Sequence, residues 1–223
     1  MKKTMRRAAL LLMLVTTITG CEKKNKHEYV DLGLPSGTLW ASCNVGASSP
    51  EEYGDYFVWG ETTAKKIYDW RTYKYCNGDY DELTKYCNDS DYGHNGFTDD
   101  LTTLLPEDDA ATANWGSNWR APTQEEWEEL KHNTTKIWTT QNGVSGMLFT
   151  ASNGNSIFLP AAGSRWGDEL YDAGNFGFYW SSTLYTSDPI NAWRFYFYSD
   201  DFDLMNYYDY RGFGQSVRPV RQN

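Results

Sequence analysis

Trp119-Arg120-Ala121-Pro122-Thr123-Gln124-Glu125-Glu126-Trp127-Glu128-Glu129-Leu130 is the stretch from which the fold class is read. Thr123 with Glu126 three residues on is a capping box: the threonine hydroxyl accepts from the Glu126 N–H, and the glutamate accepts from the Thr123 N–H. Trp127 and Leu130 then lie on one helix face, and the helix fades near His132-Asn133. Downstream the pattern changes. Gly146 to Ala151 and Ser156 to Pro160 read as strands, with Asn153-Gly154 as the hairpin turn between them. Upstream, Pro106-Glu107-Asp108-Asp109-Ala110-Ala111 starts another helix, with proline and acids in its first turn. From Gly177 onward the chain reads as strands and long loops. Two helices followed by a strand-rich, loop-rich half make an α+β fold.

Toward the N-terminus, Tyr29 to Gly37 is a short strand plus turn. Thr38 to Val45 is a second strand, with Leu39 and Ala41 on one face and Trp40 on the other. Tyr56-Phe57-Val58-Trp59 supplies another apolar piece, closed by Gly60. Residues 62–103 are polar and rich in Tyr, Asn, Asp and Gly, with little periodicity. A structureless segment of that length inside a compact domain is uncommon and often functional.

The chain has 223 residues and a formal charge of −10, room for one large domain or two small ones. Its 17% aromatic content excludes a disordered chain, which lacks large rings. Its acidity excludes nucleic acid as a general partner, because phosphate contacts need Lys/Arg clusters. No apolar run reaches the ~20 residues of a membrane span. Met1 to Arg7 is basic and Ala8 to Val15 apolar, which is a secretory signal. Ile18-Thr19-Gly20-Cys21 resembles the bacterial lipobox, in which the cysteine is lipidated. Residues 1–20 are therefore read as a signal, 21–27 as a tether lipidated at Cys21, and 28–223 as one domain. This describes an outer membrane lipoprotein on the periplasmic or cell-surface face, touching the membrane through its lipid alone. Losing the four basic residues of the signal brings the remaining chain nearer −14.

Cys43, Cys76 and Cys87 then sit in an oxidising compartment. Cys76 and Cys87 belong to an imperfect repeat, Lys74-Tyr75-Cys76-Asn77-Gly78-Asp79-Tyr80 and Lys85-Tyr86-Cys87-Asn88-Asp89-Ser90-Asp91-Tyr92. The repeat suits either a disulfide between two short paired segments, worth ~2–3 kcal/mol by loop entropy, or two free, half-buried thiols. No cysteine spacing is a zinc signature.

Several phrases resemble the Fibrobacter succinogenes major paralogous domain family of Bacteroidetes lipoproteins. They are Val30-Asp31-Leu32-Gly33-Leu34 with Trp40-Ala41, Gly54-Asp55-Tyr56-Phe57 with Trp59-Gly60-Glu61, and Glu107-Asp108-Asp109-Ala110-Ala111. Asn114-Trp115-Gly116 with Trp119-Arg120-Ala121-Pro122-Thr123, Leu159-Pro160-Ala161-Ala162-Gly163, Tyr179-Trp180-Ser181-Ser182-Thr183 and Gly214-Gln215-Ser216-Val217-Arg218-Pro219-Val220-Arg221 follow in order. The resemblance implies a C-type-lectin-like domain, similar also to formylglycine-generating enzymes, and an outward-facing protein. Those enzymes depend on cysteines in their C-terminal half; here no cysteine follows Cys87, so that chemistry is not expected.

The last 46 residues hold 14 aromatics. Trp193-Arg194-Phe195-Tyr196-Phe197-Tyr198 alternates, which puts Trp193, Phe195 and Phe197 toward the core and Arg194, Tyr196 and Tyr198 outside. The Tyr, Asn, Asp and Ser around it suit recognition, where tyrosine gives rigid contact area and the small polar residues adapt. The expected ligand-binding residues are Tyr185, Asn191, Tyr196, Tyr198, Asp200, Asp201, Asn206, Tyr207, Tyr208, Asp209 and Tyr210, and the ligand a carbohydrate or a protein. The alternative is a structural or assembly subunit of an envelope or fimbrial complex, with these rings against a protein neighbour. Trp115, Trp119, Trp127 and Trp180 read as core, and Arg120, Arg165, Arg218 and Arg221 as holders of acidic loops. Asp79, Asp81, Asp89, Asp91, Asp99, Asp100, Asp108 and Asp109 invite calcium, but no EF-hand spacing appears. No metal ligand set or cofactor is nominated. No HExxH pair, Gly-x-Ser-x-Gly elbow or phosphate loop is present. A carboxylate pair for glycoside hydrolysis cannot be nominated among 30 acids, so no catalytic residue is expected.

Overall fold

The computed structural model describes residues 27–199 and 205–222. The chain begins with β1 (Tyr29–Asp31), β2 (Leu39–Ala41) and β3 (Phe57–Val58). Short 3-10 turns follow at Trp70–Thr72, His94–Gly96 and Pro106–Asp108, then α1 (Ala110–Trp115) and α2 (Gln124–Asn133). Next come β4 (Thr134–Gln141), β5 (Val144–Ala151), β6 (Ser156–Pro160), β7 (Ser164–Trp166) and β8 (Glu169–Tyr171). The chain ends with β9 (Phe176–Leu184), β10 (Asn191–Tyr198), β11 (Met205–Tyr210), β12 (Gly214–Gln215) and β13 (Val220–Arg221). The strands make antiparallel sheets in the orders β1-β2-β13, β3-β12-β7-β8, β4-β5-β6 and β11-β10-β9. Both ends of the domain meet in the first of these, where β2 lies between β1 and β13. The architecture is α+β.

The helix starts follow their caps. Both hydrogen bonds of the Thr123–Glu126 capping box are made. Glu126 also holds Arg120 and the Thr38 hydroxyl, which ties α2 to β2. The upstream helix begins later than Pro106. Residues 106–108 form a 3-10 turn, and Asp109 caps α1 by accepting from the Ala111 and Thr112 N–H groups at 2.8 and 3.0 Å. The hairpin after α2 starts twelve residues before Gly146: β4 pairs with β5 through the two-residue turn Asn142-Gly143, both at positive φ. That Asn-Gly dipeptide is a turn signal of the same kind as Asn153-Gly154.

Two apolar clusters fill the interior. One gathers Trp40, Trp127, Phe149, Phe195 and Phe197 between α2 and the sheets. The other gathers Trp59, Tyr68, Tyr73, Tyr75, Tyr86 and Trp180. The second corrects the expectation for residues 62–103. They contain little regular structure, yet Tyr68, Tyr73, Tyr75, Leu83, Tyr86 and Cys87 are all buried. Their anchor is Asp108, 1% exposed. It accepts from the Tyr75 hydroxyl, from the Tyr86 hydroxyl at 2.7 Å and from Lys85 Nζ at 2.5 Å.

Cys76 and Cys87 are not bridged. The Cys76 thiol donates to the Trp70 carbonyl and the Cys87 thiol to the Asp89 carbonyl. The repeat instead frames a small loop cluster in which Leu83 pairs with both Cys76 and Gly93. Arg218 departs from expectation too. It is fully buried, and its guanidinium donates to the Asn44 side chain and to the carbonyls of Ala41, Ser42 and Phe158. It staples backbone segments and holds no acid.

Candidate functional site

The tyrosines lie on the β11-β10-β9 sheet, and alternation splits it into two faces. Phe195 and Phe197 turn inward, where Phe195 stacks on Trp127 with ring centroids 4.7 Å apart. Arg194, Tyr196 and Tyr198 take the opposite face and are half-buried. Tyr196 and Tyr198 run parallel at 6.5 Å, beside Phe178 and Phe176 of β9. Trp193 does not join the core. It stands next to the register shift between Ala192 and Arg194 in the β9–β10 pairing, and a bulge of this kind re-aims side chains. Half-buried, it packs edge-on against Tyr185 at 5.2 Å.

That indole backs a stack of three tyrosines. Tyr185 and Tyr208 are parallel at 4.0 Å, and Tyr207 and Tyr208 at 4.6 Å. The Tyr207 hydroxyl, bonded to that of Tyr208, is the main cause that pushes the Tyr208 phenol above its ordinary value. Tyr207 is 45% exposed and Tyr210 48%. Tyr210 leans toward Phe213 and Trp70, so its aromatic surroundings continue toward β7 through the Trp166–Phe213 contact.

Other nominated residues serve the frame. Asp209 pairs with Arg194 and accepts from Gln215 Nε2 at 2.8 Å. Burial pushes its carboxyl up, and Arg194 and Gln215 pull against that. The Arg194 guanidinium lies over the Phe178 ring at 4.5 Å. Asn191 is only 4% exposed. Its amide donates to Asp188 Oδ2 and its backbone N–H to the Asp188 carbonyl, closing the turn that presents Tyr185. Asn206 stands opposite Phe195 in the strand register. Asp200, Asp201 and Cys21 lie outside the described residues.

The structure therefore brings Tyr185, Tyr207 and Tyr208 together, with Tyr196 and Tyr198 on the sheet beside them. Sequence reading missed Trp193 and Phe178 as their supports. Trp115 packs against the core from its edge, half-buried, and stacks on His27 at 3.8 Å. Two clefts lie elsewhere. One of about 500 Å³ is lined by Asp55, Tyr56, Lys65, Lys66, Tyr68 and Arg165. The other, about 510 Å³, is lined by Pro106, Asn118, Trp119, Arg120 and Arg221. Several of the loop acids satisfy nearby backbone. Asp99 accepts from the Tyr86 and Cys87 N–H groups, Asp89 from Asp91, and Asp79 from Tyr80. Among the described residues no three His, Cys, Asp or Glu side chains gather to hold a metal ion, and no helix is long and apolar enough to cross a membrane.

Residues 133–220, from β4 to the start of β13, are similar to a family described as a domain of unknown function (DUF8237). No curated protein and no solved structure matches the chain.

Proposed function

We propose that this chain is a lipid-anchored cell-envelope protein with a C-type-lectin-like domain, which binds a carbohydrate or protein ligand through its C-terminal tyrosines without catalysis. The observation that carries the reading is the Tyr185–Tyr208–Tyr207 stack, backed by Trp193 and left partly open to solvent. Tyrosine combines a broad apolar face with a polar tip at low entropic cost. A stack edge of this kind suits the apolar face of a sugar ring or a protein side chain, with the hydroxyls as hydrogen-bonding groups. Cys21 would hold the domain at the outer membrane by lipid, through a short tether ending at His27.

Glycan-array and pull-down screens with the full chain test this reading. The ligand found should lose at least about tenfold in affinity on Tyr207→Ala or Tyr208→Ala, about 1.4 kcal/mol. A ligand whose binding survives both substitutions overturns the site. An assembly subunit would instead co-purify with a stoichiometric neighbour from intact envelopes, and the same two substitutions would release it.

A further inference from the structure

β4 forms one side of the β4-β5-β6 sheet, and among the described residues no strand lies beyond it. Natural edge strands are blunted by proline, charge, bulges or a covering segment, because an open row of N–H and C=O groups recruits another strand. β9, the other long edge, is met by isolated bridges from Thr103, Gly163 and Ser216. Among the described residues β4 has none of these devices beyond one charge. It pairs with β5 in unbroken register from Thr134↔Ala151 to Gln141↔Val144, contains no proline, and carries Lys136 as its sole charged residue. At its centre Ile137 is 59% exposed, more than any other large apolar side chain described.

The turn fixes which polar groups point outward. Asn142 and Gly143 have φ of 47° and 84°, a two-residue connection whose flanking pair, Gln141 and Val144, exchanges hydrogen bonds. Alternation then aims the backbone groups of Thr135, Ile137 and Thr139 at β5, and those of Thr134, Lys136, Trp138 and Thr140 away from it. The far side of β5 agrees: Ser145, opposite Thr140, gives its carbonyl to the Ala161 N–H at 2.8 Å, away from β4.

Thr134-Thr135-Lys136-Ile137-Trp138-Thr139-Thr140 is nearly symmetric about Ile137. If a second copy of the strand lies antiparallel about a two-fold axis at Ile137, Ile137 meets Ile137 of the second copy. Thr135 then meets Thr139, Thr134 meets Thr140, and Lys136 meets Trp138. The parity fits, because residues 134, 136, 138 and 140, whose polar groups face outward, oppose one another. The two Ile137 side chains fall at a non-hydrogen-bonded position, where cross-strand side chains come closest. A one-residue slip would put inward-facing polar groups opposite outward-facing ones. We infer that β4 is an interface between two copies of this chain, joined by two-fold antiparallel strand addition centred on Ile137 into one continuous sheet.

The test is cross-linking and mass measurement on the full chain carrying Cys21→Ser, so that the tether thiol adds no bridge. Under mild oxidation Ile137→Cys should run as a covalent dimer without reductant. The parent chain and Lys66→Cys, an exposed position elsewhere, set the background. By sedimentation the parent should associate reversibly, and Ile137→Lys, which sets like charges opposite each other, should weaken that association at least about tenfold. Cross-linking of Ile137→Cys no greater than that of Lys66→Cys overturns the inference, and so does a parent that stays monomeric. Circular dichroism checks that Ile137→Lys folds; if it does not, the cysteine result decides alone.

Discussion

Tyr75 and Tyr86, within the 62–103 segment, and Tyr207 and Tyr208, on β11, carry one side chain into opposite surroundings. The first pair is buried, and each hydroxyl donates to Asp108. Burial, and the bonds to that carboxylate, push both phenols far above their ordinary value. The second pair stacks ring on ring at the sheet surface, with Tyr207 partly in water. The difference is what a hydroxyl needs. In a dry interior a hydroxyl without an acceptor is costly, and Asp108 supplies one to both Tyr75 and Tyr86. At the surface water satisfies it, and the ring face remains available to a ligand.

The comparison breaks most sharply at Asp108. Asp108→Ala leaves two hydroxyls and the Lys85 ammonium without their acceptor, and urea unfolding should show a loss of about 3–5 kcal/mol. A loss below about 1 kcal/mol, the net worth of one ordinary hydrogen bond, would mean that apolar packing alone holds the segment.

The pH dependence sharpens it next. Burial raises the Asp108 carboxyl, but Lys85 and the two tyrosine hydroxyls outweigh burial and hold it below its ordinary value. Its contribution is therefore present above the usual carboxylate value of about 3.9 and is lost as pH falls through the lower folded value. The stability gap between the parent chain and Asp108→Ala should narrow below about pH 4. On the alkaline side Tyr56, Tyr73, Tyr75 and Tyr86 are raised, chiefly by burial. Their contributions are complete below the unfolded value near 10 and fade as pH rises toward the folded values. Tyrosinate absorbance from these residues should appear only together with alkaline unfolding. A full tyrosinate signal from a chain that is still folded would show that they are not sequestered.

The smallest effects separate the two pairs directly. The Tyr86 hydroxyl accepts from the Leu105 N–H at 2.9 Å while donating to Asp108, so Tyr86→Phe should cost about 1–3 kcal/mol. Tyr207→Ala should change stability by no more than about 0.5 kcal/mol, as surface substitutions do. Equal costs in thermal melts would place Tyr207 in the frame rather than in a recognition surface.

The legible parts of this chain were those governed by local rules. The Thr123–Glu126 box starts α2 because both of its bonds are made within one turn. Asn153-Gly154 turns β5 into β6, with Gly154 at a φ of 87°. Phe195 and Phe197 face inward because alternation holds through that end of β10. Trp193 failed the same rule, since a register shift against β9 is a property of the pair of strands and not of either one. In the candidate site the tyrosines were visible as composition, but their stacking was not: Tyr185 reaches Tyr208 from a different part of the chain. Asn191 has the side chain of a binding residue, yet it closes a turn.

By itself the sequence determined the α+β class, the helix cap, the hairpin turns and the uneven placement of aromatics, because these follow from neighbours along the chain. Tertiary structure alone decided which tyrosines are buried, because that depends on a distant acceptor such as Asp108. It also decided that Cys76 and Cys87 each bond a nearby carbonyl instead of each other, and that Arg218 staples two stretches of backbone, at Ala41-Ser42 and Phe158, from within the core. These buried groups are satisfied by what the fold brings within hydrogen-bonding distance, and no spacing in the sequence records that.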